Sequence, residues 1–266
     1  MARMRLPAPL LSLLTAAFIA AGATGNASAS MVDWNTVSWA PGSLSNSYNV
    51  DPSIPGSTVN FTFSGDTGRF DTDPTTGIQT PAIDSTMEGG MSPVQKSLDM
   101  AMALTTNKVI TLTVAFSPQY LQGVTNVSFT LFGINKGTTN DIINSISALS
   151  IDGSTLVAPT ITNVGPAVQL SGSGLSQTLT GIGDSPHGGP GSGDGNATIT
   201  FTGAAIQSFT FSFQYGTTGF GNSQIAMSNL SFDVVPEVNV ALIASLFCSL
   251  ILGVEVYRAR RSHCGP

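Results

Sequence analysis

The sequence predicts an all-β protein: an antiparallel two-sheet sandwich of jelly-roll type, preceded by a signal peptide and followed by a single C-terminal transmembrane helix. Only 9% of the 266 residues are charged, while 29 glycines and 15 prolines, with abundant Ser, Thr and Asn, supply turn formers. Short alternating apolar runs recur between those turn residues, and nothing alternates strand with helix as a parallel sheet would require. Each end of the chain carries an apolar stretch beside arginines.

At the N-terminus, Arg3 and Arg5 precede an apolar run from Leu10 to Ala21, and small residues end in Ala27-Ser28-Ala29. That order of basic, apolar and small segments is a secretory signal peptide over residues 1–29. Ala27 and Ala29 hold the small positions before a cut that leaves Ser30 first; Ala21-Gly22-Ala23 offers the alternative cut after Ala23.

From residue 30 to 233 the chain reads as one ectodomain. Thr58 to Ser64 alternates Val59, Phe61 and Phe63 against polar neighbours, and Val109 to Phe116 is a nearly continuous run of β-formers. Val127 to Ile134, Ser145 to Ile151, Thr155 to Ile161, Ala197 to Thr202, Ile206 to Tyr215 and Ile225 to Asp233 continue the series. Val94 to Leu104 is ambiguous, because Leu98, Met100 and Met102 fit either a helix or a strand face. Both cysteines, Cys248 and Cys264, lie beyond this span, so the ectodomain folds without a disulfide.

Charge narrows the partners. Between Arg5 and Glu255 there are four basic residues, Arg69, Lys96, Lys108 and Lys136, against fourteen acids, a balance of −10. Nucleic acid is excluded as a partner, since phosphate binding needs a basic face. Divalent cations are the natural counter-ions.

Residues 234–261 form the tail. Val235-Pro236-Glu237 is followed by an apolar helix over 238–257, of which the uninterrupted part to Val254 spans about 25 Å, close to a bilayer core. Arg258, Arg260 and Arg261 hold its far end, and residues 262–266, on the cytoplasmic side by the positive-inside rule. A Pro-Glu motif, a short helix and an arginine cluster in this order resemble the PEP-CTERM sorting signal of Gram-negative bacteria that make extracellular polysaccharide. Val238 stands where that family's second proline falls. The resemblance implies anchoring in the inner membrane, cutting near Pro236 by an exosortase-type enzyme, and delivery to the cell surface or extracellular space. Val127 to Asn135, with Asn140-Asp141-Ile142 and Ile151 to Ser154, also resembles the central strands of sandwich ectodomains that accompany such tails; Gly133-Ile134-Asn135 replaces their Asp-Ile-Asp.

Candidate chemistry in the ectodomain is sparse. Asp66-Thr67-Gly68 has the letters of an aspartic-protease loop but no second copy, and reads as a turn after the strand ending at Phe63. Gly181 to Asn196 is glycine-rich and holds Asp184, His187 and Asp194; it is a surface loop or a calcium site at Asp184 and Asp194, although the calcium-binding nonapeptide does not recur. The pairs Asp71/Asp73 and Asp84/Glu88 sit in turn-rich segments where Asx turns explain them. Trp34, Trp39 and Tyr215 offer flat rings for sugar stacking, with core packing the stronger reading for both tryptophans. No nucleophile elbow, histidine set or cysteine nucleophile is present in the exported part. The expected function is a non-enzymatic surface or matrix protein associated with exopolysaccharide; the alternatives are a carbohydrate-binding module and a secreted hydrolase with a carboxylate pair.

Overall fold

A computed structural model describes residues 28–235, apart from 53, 106, 138, 187–191 and 216–220. The expected signal peptide through Ala27, His187 and residues from Pro236 on, with the expected sorting motif and Arg258, Arg260 and Arg261, lie outside the described residues. Among those described, no helix is long and apolar enough to cross a membrane. Residues 28–235 make one compact unit.

The unit is all-β and antiparallel throughout. In chain order its strands are β1 (Ser28–Val32), β2 (Ser45–Tyr48), β3 (Val59–Gly65), β4 (Ala82–Asp84), β5 (Ser97–Leu104), β6 (Val109–Phe116), β7 (Val124–Phe132) and β8 (Asp141–Ser150). They continue with β9 (Leu156–Val157), β10 (Thr160–Thr162), β11 (Val168–Ser171), β12 (Thr178–Gly181), β13 (Ala197–Phe201), β14 (Ile206–Tyr215), β15 (Gly221–Met227) and β16 (Leu230–Val234).

The strands pair as one curled network with two arms. One arm runs β2-β3-β6-β14-β8-β12-β11. The other is centred on β7, which takes β13 and then β10 on one side, and β15 with β5 and β4, and β16 with β1, on the other. Where two separate sheets were expected, the single pair Ile206↔Val124 joins the arms.

The period-two pattern explains the core between the arms. Along β6 every second residue, Ile110, Leu112, Val114 and Phe116, is buried. Rings meet across the gap: Phe129 of β7 stacks on Phe209 of β14 at 4.9 Å, and Phe116 of β6 meets Phe232 of β16 edge-on at 5.0 Å. Fully burying one such side chain contributes about 1.5–3 kcal/mol.

The ambiguous stretch at Val94 to Leu104 resolves as a strand. Within β5, Leu98, Met100 and Met102 enter the core, while Ser97, Asp99 and Ala101 are buried on the opposite face. That second burial arises because residues on either side of β4, Asp73 and Met87 among them, cover the outer face of β5 and β15. Met87, held by Ser97 Oγ donating to its carbonyl oxygen, packs there with Phe132 and Ala226.

Two expected strands are each divided. Thr155 to Ile161 becomes β9 and β10, broken at Ala158-Pro159 because proline cannot donate to a ladder. Ile225 to Asp233 becomes β15 and β16, divided at Ser228-Asn229, where Ser228 Oγ accepts the Thr130 N–H at 2.8 Å. At the other end, β1 begins at Ser28, two residues ahead of the expected ectodomain boundary.

Candidate functional site

The aromatic candidates are core residues. Trp34 is 0%, Trp39 6% and Tyr215 5% exposed, so none offers a free face to a sugar. Each polar edge is bound internally: Trp34 Nε1 to Ser228 O, Trp39 Nε1 to Ser43 O and Tyr215 OH to Met102 O. Trp34, Trp39, Tyr48, Phe61 and Phe63 instead form one cluster of edge-on and tilted rings.

Asp66-Thr67-Gly68 is a turn, as read: a single 3-10 turn covers Thr67–Arg69. Asp66 accepts from Lys108 Nζ at 2.8 Å and from the Val109 N–H, and these bonds hold its carboxyl below the usual range. Asp184 is exposed and Asp194 half-buried; the backbone carbonyl of Asp194 accepts the Ala167 N–H. Ala29 and Ser30, at the predicted cleavage point, lie within β1 opposite Asp233 and Phe232.

The structure brings together a different set of acids. Asp73, Asp84 and Asp99 each place a carboxylate oxygen within 4.8 Å of the others. Asp73 and Asp99 are 0% exposed and Asp84 7%. Register accounts for this. Asp99 lies opposite Ala82 on β4 and Ala226 on β15, so residues 82, 84, 97, 99, 224 and 226 share the outer face of these strands. Asp73 comes down from the covering segment.

Local chemistry fixes each acid separately. Asp73 Oδ1 accepts the N–H groups of Thr75 and Thr76, and Asp84 Oδ1 accepts that of Thr86: the predicted Asx turns. The second oxygens turn inward. Asp73 Oδ2 accepts from Thr86 Oγ1 at 2.9 Å and from Gln224 Nε2 at 2.6 Å. Asp84 Oδ2, both oxygens of Asp99 and Gln224 Oε1 are buried with no hydrogen-bond donor in bonding geometry.

The electrostatics follow from this division. Burial opposes ionisation of Asp73, but the hydrogen bonds from Thr76, Thr86 and Thr75 together hold its carboxyl below the usual range. Burial, outweighing the donors on Thr86, pushes Asp84 up. Asp99 goes up to about 8, first by burial and then by the charge of Asp84, against a counter-pull from the Gln224 amide. The described residues include no ion pair between any of the three and a basic side chain; the one salt bridge found among them is Lys108–Asp66. An oxygen-only set of this kind can hold a hard cation.

A polar cleft opens at the same edge. Asp71, Thr72, Asn135, Asn222, Ser223 and Gln224 line it together with Pro74, Ala101 and Met102. Ser223 also donates to Asp141 Oδ1 behind the cleft, where Asn135 N–H donates to Oδ2. Burial pushes Asp141 up to about 7 against both bonds.

No family model matches the chain, and no curated protein matches it. Among solved structures, the family 11 carbohydrate-binding module from Clostridium thermocellum in complex with a β-1,3-1,4-mixed-linked tetrasaccharide matches at 12% identity and a TM-score of 0.27, over 77% of this chain and 94% of that one. The family 11 module of the cellulosomal cellulase Lic26A-Cel5E of the same organism matches at 12% identity and a TM-score of 0.28, over 81% and 99%.

The acid cluster is not legible in the sequence, because its members lie up to 26 residues apart and Asx turns account locally for Asp73 and Asp84. One signal was present. Asp99 interrupts Leu98 to Met102, where a lone carboxylate among apolar neighbours marks a charge buried for a reason.

Proposed function

We propose that the chain is an exported, non-enzymatic protein of the cell surface or extracellular matrix, associated with exopolysaccharide and sorted through its C-terminal tail. The carrying observation is the division between the two polar regions: the clustered acids are enclosed, whereas the open cleft presents amides and hydroxyls around a single carboxylate, Asp71. A glycoside hydrolase needs two carboxylates about 5–9 Å apart facing a substrate groove. Buried Asp73, Asp84 and Asp99 do not have that access. In this reading the fold is a two-sheet sandwich of jelly-roll type in which the Val124–Ile206 bridge is a corner between sheets. Residues 238–257 span the inner membrane until an exosortase-type enzyme cuts beside Pro236.

Carbohydrate binding is the second reading, favoured by the cleft itself. Asn135, Asn222 and Thr72 are donors and acceptors suited to sugar hydroxyls, without a stacking ring among the described Trp and Tyr residues. Two measurements test the proposal. Replacing Pro236-Glu237 with Ala-Ala should keep a full-length protein in the inner membrane while wild type is processed and leaves it; equal retention of both rejects the sorting signal. Native affinity electrophoresis in the producing cell's own polysaccharide should retard wild type and retard Asn222→Ala less. Turnover of that polysaccharide, lost on changing Asp71, would replace both readings with a hydrolase.

A further inference from the structure

We propose that Asp73, Asp84, Asp99 and the Gln224 side chain form a site for one hard divalent cation of the calcium type, clamping the chain from residue 70 through β4 to residue 96 onto β5 and β15. The inference is independent of the function proposed above.

Charge is the first argument. Three carboxylates within 4.8 Å, buried and without a basic partner, cannot all ionise in a low-dielectric interior. Either protons or a cation must neutralise them.

The unpaired atoms choose between these. Asp84 Oδ2, Asp99 Oδ1, Asp99 Oδ2 and Gln224 Oε1 are all acceptors lacking a donor. Gln224 is 4% exposed; its Nε2 donates to Asp73 Oδ2 at 2.6 Å, which leaves Oε1 of the same amide buried and unpaired beside the cluster. It belongs to a different strand from the acids and owes nothing to their Asx turns. A proton on Asp99 would supply a single donor to several orphaned acceptors, whereas a cation takes oxygen ligands from every direction at once.

The donor set selects the ion. With oxygen ligands only and no histidine or sulfur in the group, zinc and copper are disfavoured. Magnesium keeps several waters in a strict octahedron, which a buried site of converging carboxylates does not accommodate. Calcium accepts six to eight oxygens in flexible geometry.

Position gives the site its consequence. Asp73 lies ahead of β4 and Asp84 on it, while Asp99 and Gln224 belong to β5 and β15. Neutralising the acids therefore fastens the outer layer to the sheet, and the same layer forms one wall of the cleft at Asp71, Thr72 and Pro74.

The test uses the exported protein after chelation with EGTA and dialysis, titrated with calcium chloride by calorimetry and followed by thermal melting. We expect one calcium per chain and a rise in melting temperature of several degrees at a concentration about 100-fold above Kd. Asp99→Asn should fold, because it removes an unpaired buried charge, and should lose at least tenfold in calcium affinity; Asp84→Asn should do the same. Asp194→Ala should behave as wild type. Absence of calcium binding at millimolar concentration in wild type overturns the site. So does a calcium shift that survives in both Asp99→Asn and Asp84→Asn, or one that Asp194→Ala abolishes.

Discussion

The indole Nε1 of Trp34 donates to the carbonyl oxygen of Ser228 at 2.8 Å, joining residues 194 positions apart in a buried hydrogen bond. Ser228 is where the chain leaves β15 for β16, and the Trp34 N–H also bonds Asn229 Oδ1 at 2.9 Å. The tryptophan thus fixes the bend between the two strands. Trp34→Phe keeps most of the ring packing but leaves the Ser228 carbonyl unpaired, at a cost of about 1–3 kcal/mol. A thermal melt should fall by several degrees, while polysaccharide retention stays at the wild-type level because the ring is 0% exposed. Retention lost at an unchanged melting temperature would return Trp34 to the role of a sugar platform.

Asp141 predicts a pH dependence. Burial raises its folded-state carboxyl to about 7, above its unfolded value near 4. Between those values the folded state holds a proton that the unfolded state releases. The stability it contributes is therefore complete below about pH 4 and lost as pH rises through 7. Wild type should melt at higher temperature at pH 5 than at pH 8, and Asp141→Asn should flatten that slope. Parallel pH profiles of the two proteins would contradict the assignment.

Gly133 has a fixed backbone requirement. Its φ is +75°, and an added Cβ would lie 2.7 Å from the Gln224 carbonyl oxygen and against Met87 Cε. Gly133→Ala should cost roughly 2 kcal/mol or more, combining left-handed strain with the contact. Denaturant melts read this directly; a change under about 0.5 kcal/mol would show that β7 and β15 can separate without penalty.

The predicted signal cuts have different structural outcomes. A chain starting at Ser30 keeps three of the five β1 register pairs, from Ser30↔Phe232 to Val32↔Leu230, whereas a cut after Ala23 keeps all five. Mass spectrometry of the envelope protein should give Ser30, and a chain prepared with Thr24 first should melt at a higher temperature. Equal melting of the two would mean that Ser28 and Ala29 add nothing to the sheet.

Strands were legible where one face meets the core, because alternation along Val59 to Ser64 or Val109 to Phe116 records which side chains turn inward. Short edge strands such as β2 and β11 left weaker marks, since Ser45 and Ser47 of β2 and Gln169 to Ser171 of β11 are exposed. The division of β15 from β16 depends on Trp34 and Thr130, both distant in sequence, and so could not be read locally. The acid cluster is a property of register: only the pairing of Asp99 with Ala82 and Ala226 sets Asp84 and Gln224 on the same face. Asx turns at Asp73 and Asp84 were legible, but they concern one oxygen of each carboxylate, and the site is built from the other.

The position of β16 bears on how the domain would carry tension. It is the last strand before the tail, held between β1 and β7, with Val234 opposite both Ser28 and Val124. In antiparallel ladders the hydrogen bonds lie perpendicular to the strands. A pull on the C-terminal end therefore loads the bonds of β16 to β7 side by side in shear, whereas a pull between the two ends of the domain would open β1 from β16 one pair at a time. A domain held at residue 235 and loaded elsewhere than at residue 28 would therefore meet force along its strong direction and be spared the weak one.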